Sequence, residues 1–160
     1  MKLGIISDTH DFLDPRVAKL FAGVDHILHG GDVGMPMILM ELEAIAPVTA
    51  CLGNTDFGMT YRLTEILTLA HRKFLLHHIV NPLAPDEKLQ ALLAKHRPDV
   101  VIFGHTHKPY NQVINGTLFL NPGYAGKPKS GTERSVALLH CDENEIRAEH
   151  LPLRAIPGTG

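Results

Sequence analysis

Strand-length apolar runs alternate with helix-length amphipathic runs through the first half of the chain, and this alternation narrows the fold more than any other feature. Lys2 to Ser7, Val24 to His29 and Pro47 to Leu52 are short and mostly apolar. Between the first two, Pro15 to Gly23 places Val17, Leu20 and Phe21 on one helical face, with Pro at its start and Gly at its end. Pro36 to Ala46 repeats the pattern with Ile38, Leu39, Leu42 and Ile45. A β-α-β-α-β order predicts parallel strands covered by helices, because each apolar face must be buried against another element.

The rest of the chain extends this pattern and then changes it. Arg62 to Leu69 and Arg72 to His77 form a strand pair turning near Ala70-His71. Pro85 to His96 is a helix with Leu89, Leu92 and Leu93 inward, followed by the strand Val100 to Phe103. The last third is β-rich. Asn111 to Ile114 and Thr117 to Leu120 flank the hairpin signal Asn115-Gly116, and Ser135 to Cys141 and Glu145 to Leu151 flank Asp142-Glu143-Asn144. The Pro- and Gly-rich residues from about 152 to 160 are expected to be a loose tail.

Composition then excludes several classes. At 160 residues, 44% hydrophobic and 20% charged, one domain over residues 1–160 is expected. The net charge is −2 with Lys and Arg scattered, so nucleic acid is not implied as a partner. No run approaches the ~18 apolar residues of a membrane span, and no signal-peptide pattern opens the sequence. The cytoplasm is the expected compartment. Cys51 and Cys141 stand apart among apolar residues and read as buried thiols. Oligomeric state is not legible, although an exposed edge strand can pair in a homo-oligomer.

The chain holds 11 histidines and no tryptophan, so the position of the imidazoles matters. Polar clusters recur at the C-terminal ends of apolar strands, the edge where open α/β sheets bind ligands. They are Asp8-Thr9-His10, Gly31-Asp32, Gly53-Asn54, His77-His78 and Gly104-His105-Thr106-His107. Asp8 and His10, two residues apart, can face one side and hold a divalent ion, or Asp8 caps a turn and His10 lies on the surface. Asp32 after paired glycines has two oxygens able to bridge two metals, and Asn54 offers a neutral oxygen; each also reads as a simple turn residue. His105 and His107 directly after a buried strand are costly to place without partners, and a metal supplies them.

In order and spacing these motifs resemble the calcineurin-like metallophosphoesterases over residues 1 to about 125, in particular their small prokaryotic phosphodiesterase branch. Asn121-Pro122-Gly123 resembles the turn that follows the hairpin in that branch. The resemblance implies an α/β fold, a four-layer α/β/β/α sandwich with two mixed sheets. It implies two divalent ions, Mn²⁺ foremost with Ni²⁺, Fe²⁺ or Zn²⁺ as alternatives. Asp8, His10 and His107 would hold one ion; Asn54, a middle His and His105 would hold the other; Asp32 would bridge them. Asp32, Asn54 and His105 would form the catalytic set, with a metal-activated water attacking a small-molecule phosphate ester, a diester in preference to a monoester. The alternative is a non-catalytic metal-binding scaffold of the same fold that acts through protein contacts.

Two positions depart from the family pattern. The middle motif reads Leu75-Leu76-His77-His78, and His77 is taken as the ligand with His78 as the alternative. Thr55 follows Asn54 where many relatives carry a His, which implies weak general-acid help and a preference for good leaving groups. His26, His71, His96, His140 and His150 are expected in surface or hydrogen-bonded roles, and His29 beside the ligands. Lys127, Lys129 and Arg134 can steer a phosphate, although a solvated loop is the plainer reading. The rims at residues 57–61, 79–85 and 124–131 are short, which suggests an open cleft where Phe57 and Tyr124 either stack on a base or pack.

Overall fold

Alternation along the strands sorts the apolar side chains into layers. The computed structural model describes residues 1–56 and 60–154. In chain order it contains β1 (Lys2–Ile6), α1 (Arg16–Leu20), β2 (His26–His29), α2 (Met37–Glu43), β3 (Val48–Ala50), β4 (Thr64–Leu69) and β5 (Arg72–His77). There follow α3 (Glu87–His96), β6 (Val100–Ile102), β7 (Tyr110–Ile114), β8 (Thr117–Asn121), β9 (Ser135–Cys141) and β10 (Ile146–Pro152).

The strands form two five-stranded sheets, ordered β10-β9-β1-β2-β3 and β4-β5-β6-β8-β7. Both are mixed. In the first, β1, β2 and β3 run parallel and β9 is antiparallel to β1; in the second, β5, β6 and β8 run parallel and β4 and β7 are antiparallel edges. Leu3, Ile5 and Leu28 of the first sheet meet Phe74, Leu76 and Ile102 of the second in a buried inter-sheet core. The opposite face of the first sheet packs Ile6 and Ile27 against Val17, Phe21, Leu39 and Leu42 of the α1 and α2 region. The outer face of the second sheet packs Leu75, Val101 and Phe119 against Leu89 of α3. Period-two alternation therefore yields the expected four-layer α/β/β/α sandwich.

Local signals hold with small boundary shifts. Asp86 caps α3 by accepting from the Leu89 amide at 2.8 Å, and Arg97 ends it in the left-handed region at φ 45°. Asn115 and Gly116 both have positive φ, as the β7–β8 hairpin requires. The α1 segment stops at Leu20 rather than Gly23, because Phe21 to Val24 bend in successive turns toward β2. Of the expected tail, Pro152 ends β10, Leu153 is buried with its amide bonded to the Arg134 carbonyl, and residues 155–160 lie outside the described residues. No helix among the described residues is long and apolar enough to cross a membrane.

Candidate metal centre

The C-terminal ends of the parallel strands from both sheets open on one edge, and the sequence clusters sit there. Asp8 and His10 follow β1, Asp32 follows β2, Asn54 follows β3, His78 follows β5, and His105 and His107 follow β6. Five of these residues hold the left-handed conformation that non-glycine side chains disfavour: Asp8 at φ 56°, His10 at 44°, Asp32 at 54°, His105 at 71° and His107 at 63°. Strained backbone gathered on residues of one cluster is a mark of a functional site, since each such residue costs about 1 kcal/mol or more and needs support from its surroundings.

Short bonds supply that support. Asp8 Oδ2 accepts from Ser7 Oγ at 2.8 Å and from the His105 amide at 3.1 Å, so the β1 and β6 loops are joined across the two sheets. Gly104 makes this approach possible, because a Cβ there would overlap Ser7 Oγ and Asp8 Oδ2. Asp32 Oδ1 accepts from the Thr55 amide at 3.0 Å. The buried Asn121 side chain donates to the Gly104 carbonyl at 3.1 Å and to Thr106 Oγ1 at 3.2 Å, which fixes the loop carrying His105 and His107.

The remaining donor atoms face one another. His78 Nδ1 lies 2.7 Å from the Gly30 carbonyl, which can only accept, so the proton sits on Nδ1 and Nε2 presents a lone pair. That Nε2 is 3.1 Å from Asp32 Oδ2 and 3.7 Å from Asp8 Oδ1. His10 Nε2 stands 3.6 Å from both Asp8 Oδ1 and Asp32 Oδ2, and His107 Nε2 is 3.4 Å from Asp8 Oδ1. Asn54 Oδ1 and His105 Nδ1 are 3.1 Å apart, and the His105 and His78 rings meet edge to face at 5.4 Å.

Among the described residues, Asp8 Oδ1, His10 Nε2 and His78 Nε2 are buried with no hydrogen-bond partner. An unpaired buried polar atom costs about 1–3 kcal/mol, and these three converge. Asp8, His10 and His107 form one triplet whose ligand atoms lie within 4.8 Å of one another, and Asp8, Asp32 and His78 form a second. Mixed imidazole and carboxylate donors with an orienting Nδ1–H···O=C bond behind a ring nitrogen are the chemistry of a first-row divalent site, so the residues present fit two such ions.

Charge states follow from the same contacts. Burial opposes ionisation of Asp32, but the adjacent His78 imidazole and the hydrogen bond from the Thr55 amide outweigh it and hold its carboxyl well below the usual carboxylate range. Burial likewise opposes a charged His78, yet Asp32 and Asp8 raise its pKa. Beneath them His29 is fully buried. The Gly31 amide donates to its Nδ1 at 3.1 Å, which leaves the proton on Nε2, 3.0 Å from Thr9 Oγ1, and Thr9 in turn donates to the Val33 carbonyl at 2.8 Å. Burial pushes the His29 pKa down to about 4, so this bracing imidazole is neutral.

A family model described as the calcineurin-like phosphoesterase superfamily domain matches residues 1–144. The chain belongs to that superfamily. A probable metallophosphoesterase of Methanothermobacter thermautotrophicus is 35% identical over 157 residues, which span 93% of this chain and 91% of the relative. The phosphodiesterase YfcE of Escherichia coli is 31% identical over 170 residues, which span 89% of each chain. The crystal structure of zinc-complexed Vps29 from Entamoeba histolytica shares the fold, with a TM-score of 0.73 at 23% identity over 96% of this chain and 100% of that one.

His77, the expected middle imidazole, lies outside this cluster, and His78, the stated alternative, lies within it. His77 is the last residue of β5 and its Nδ1 bonds Thr64 Oγ1 at 2.8 Å on the neighbouring strand, whereas His78 turns to the cluster. Successive strand residues face opposite sides, so a slip of one position exchanges the two. The solvated-loop reading fails for Arg134, which is buried and pairs with Asp14 at 2.9 Å. Tyr124 is 5% exposed and packs on His107, so it is not free to stack on a base, and Phe57 lies outside the described residues.

Asp56 was missed. Its carboxylate accepts from the amides of Val33 at 3.2 Å, Gly34 at 3.0 Å and Gly53 at 2.9 Å, and so clasps the Asp32 and Asn54 loops together. The signal was present, since an Asp three residues after Gly53 is placed to bond back to its amide.

Proposed function

We propose that this protein is a phosphodiesterase dependent on two divalent metal ions, Mn²⁺ foremost. Asp8, His10 and His107 would hold one ion, Asn54, His78 and His105 would hold the other, and Asp32 stands between the two sets. The observation that carries this reading is the convergence of the buried, unpartnered Asp8 Oδ1, His10 Nε2 and His78 Nε2 on one small volume. Bound there, the ions supply Lewis acidity to phosphoryl oxygens and lower the pKa of an attacking water.

The chain's own residues prepare the site. Asp8 and Asp32 are ionised before substrate arrives, because the groups around them hold both carboxyls low. His78 is locked in the tautomer that presents Nε2 by the Gly30 carbonyl. Asn54, whose Oδ1 lies beside His105, offers a neutral oxygen, which limits the negative charge facing an anionic ester. Thr55 has no proton to give near neutral pH, so esters with good leaving groups are preferred. Relatives named as phosphodiesterases favour a diester substrate.

The test is turnover of bis(p-nitrophenyl) phosphate by the purified protein with Mn²⁺. Asp32→Asn is expected to lower kcat about 100-fold or more while the fold is retained by circular dichroism. The second reading is a non-catalytic scaffold of the same fold, in which the cluster has a structural or docking role. No turnover with Mn²⁺, Ni²⁺, Fe²⁺ or Zn²⁺ would decide for it.

A further inference from the structure

Lys129 stands against the cluster, and the proposed ligand set does not account for it. Its Nζ lies 3.4 Å from His107 Nδ1 and 4.5 Å from the centroid of the Tyr124 ring. That ring packs on His107 with centroids 4.7 Å apart and 30° between the planes. Tyr124 is itself fixed, since its hydroxyl donates to the Lys127 carbonyl at 2.9 Å and Gly126 passes so close that a Cβ there would press on the ring. At the base of the loop, Arg134 Nε donates to the Gly126 carbonyl at 2.7 Å while Nη2 pairs with Asp14. The guanidinium is therefore engaged in holding the loop closed, and Lys129 is the loop cation that meets a ligand residue. Among the described residues it has no carboxylate within salt-bridge distance.

We propose that Lys129 is a substrate-binding residue, its ammonium taking an anionic phosphoryl oxygen beside His107. This rests on the phosphoesterase reading of the site. His107 Nε2 is the nitrogen that faces Asp8, and a metal held there would leave the ring proton on Nδ1, so that Lys129 would have no acceptor on that ring. An ammonium stripped of that acceptor, poised over an aromatic face, is free to bond an oxygen anion, and the non-bridging oxygen of an ester is the anion such a site receives.

The experiment measures KM for bis(p-nitrophenyl) phosphate and the Kd for inorganic phosphate by calorimetry, both on manganese-loaded protein. Lys129→Ala is expected to raise KM and the phosphate Kd about tenfold, with kcat falling less and the manganese content unchanged. Lys129→Arg is expected to restore most of the phosphate affinity. Lys127→Ala, on the same loop, is expected to change neither constant. An unchanged phosphate Kd in metal-replete Lys129→Ala, or an equal effect from Lys127→Ala, would overturn the assignment and leave the phosphoesterase reading standing. A wild type that neither turns over the diester nor binds phosphate with any divalent metal would remove both.

Discussion

His29 carries no charge, and the site above it depends on that. Its Nδ1 accepts from Gly31, next to Asp32, and its Nε2 braces Thr9 between Asp8 and His10. With the folded pKa at about 4 and the ordinary value at 6.5, the unfolded chain takes up a proton across this window and the folded chain does not. The resulting stability is fully present above pH 6.5 and is lost as pH falls toward 4, by about 3 kcal/mol in all. Urea unfolding of metal-free protein at pH 7, 5.5 and 4.5 should show this slope, and His29→Gln should flatten it. His77 ends β5 and His78 follows it, and the two imidazoles have different expected roles. His78→Ala is expected to lower bound metal and to reduce kcat about 100-fold, because it removes a first ligand. His77→Ala should keep its metal and stay within about threefold of wild type, losing only a hydrogen bond to Thr64. Equal metal loss in the two variants would refute the placement. The sequence showed that an imidazole belongs here but not which one, since an alternation of period two is resolved only when the register against Thr64 is known.

At the scale of elements, the loops after β2 and β3 act as one unit because Asp56 binds amides from both. Removing its carboxylate leaves the buried Val33 and Gly53 amides without partners, with the Thr55 amide to Asp32 still tying the two loops. Asp56→Ala is expected to cost about 2–4 kcal/mol in urea denaturation and to weaken metal binding as well, while Asp56→Asn, which keeps an acceptor, should lose less. Stability loss with metal affinity intact would mean that the clasp does not position the ligands. Elements of this kind were legible where chemistry is local. The Asn115-Gly116 hairpin, the Asp86 cap and the Asp142 turn, whose side chain accepts from the Asn144 and Glu145 amides, all follow from residues within a few positions of one another. Contacts between distant segments were not. Asp14 and Arg134 are 120 residues apart, and nothing in either neighbourhood marks a buried ion pair. Asn121 shows the middle case: its motif was visible, but its hold on Gly104 and Thr106 depends on β8 lying beside β6.

For the whole molecule, the site is a seam. Asp8, His10, Asp32 and Asn54 come from loops of the sheet containing β1, and His78, His105 and His107 from loops of the sheet containing β6. Away from the seam the sheets are held by the non-directional core of Leu3, Ile5, Phe74 and Leu76. At the seam they are held by directional bonds such as the His105 amide to Asp8 and the Gly30 carbonyl to His78. Without metal the seam also keeps unpartnered buried atoms from both sides, so it is the least satisfied part of the interface. Divalent ions bound there, as proposed, would join the sheets and favour the folded state, since the unfolded chain scatters the ligands. At a metal concentration near 100 times Kd, the gain is about 2.7 kcal/mol per site, which for a chain of this size raises Tm by roughly 5–10 °C. Differential scanning fluorimetry of EDTA-treated protein with and without Mn²⁺ should show that rise. Asp32→Asn should remove most of it, and His77→Ala should retain it. Hydrogen exchange should slow on metal addition at the His105 amide, which crosses the seam to Asp8, and at the neighbouring Gly104 amide, which bonds the His78 carbonyl within one sheet. A Tm and exchange pattern indifferent to every divalent ion would mean that the two sheets are joined by their core alone, and that the converging imidazoles and carboxylates are not a metal centre.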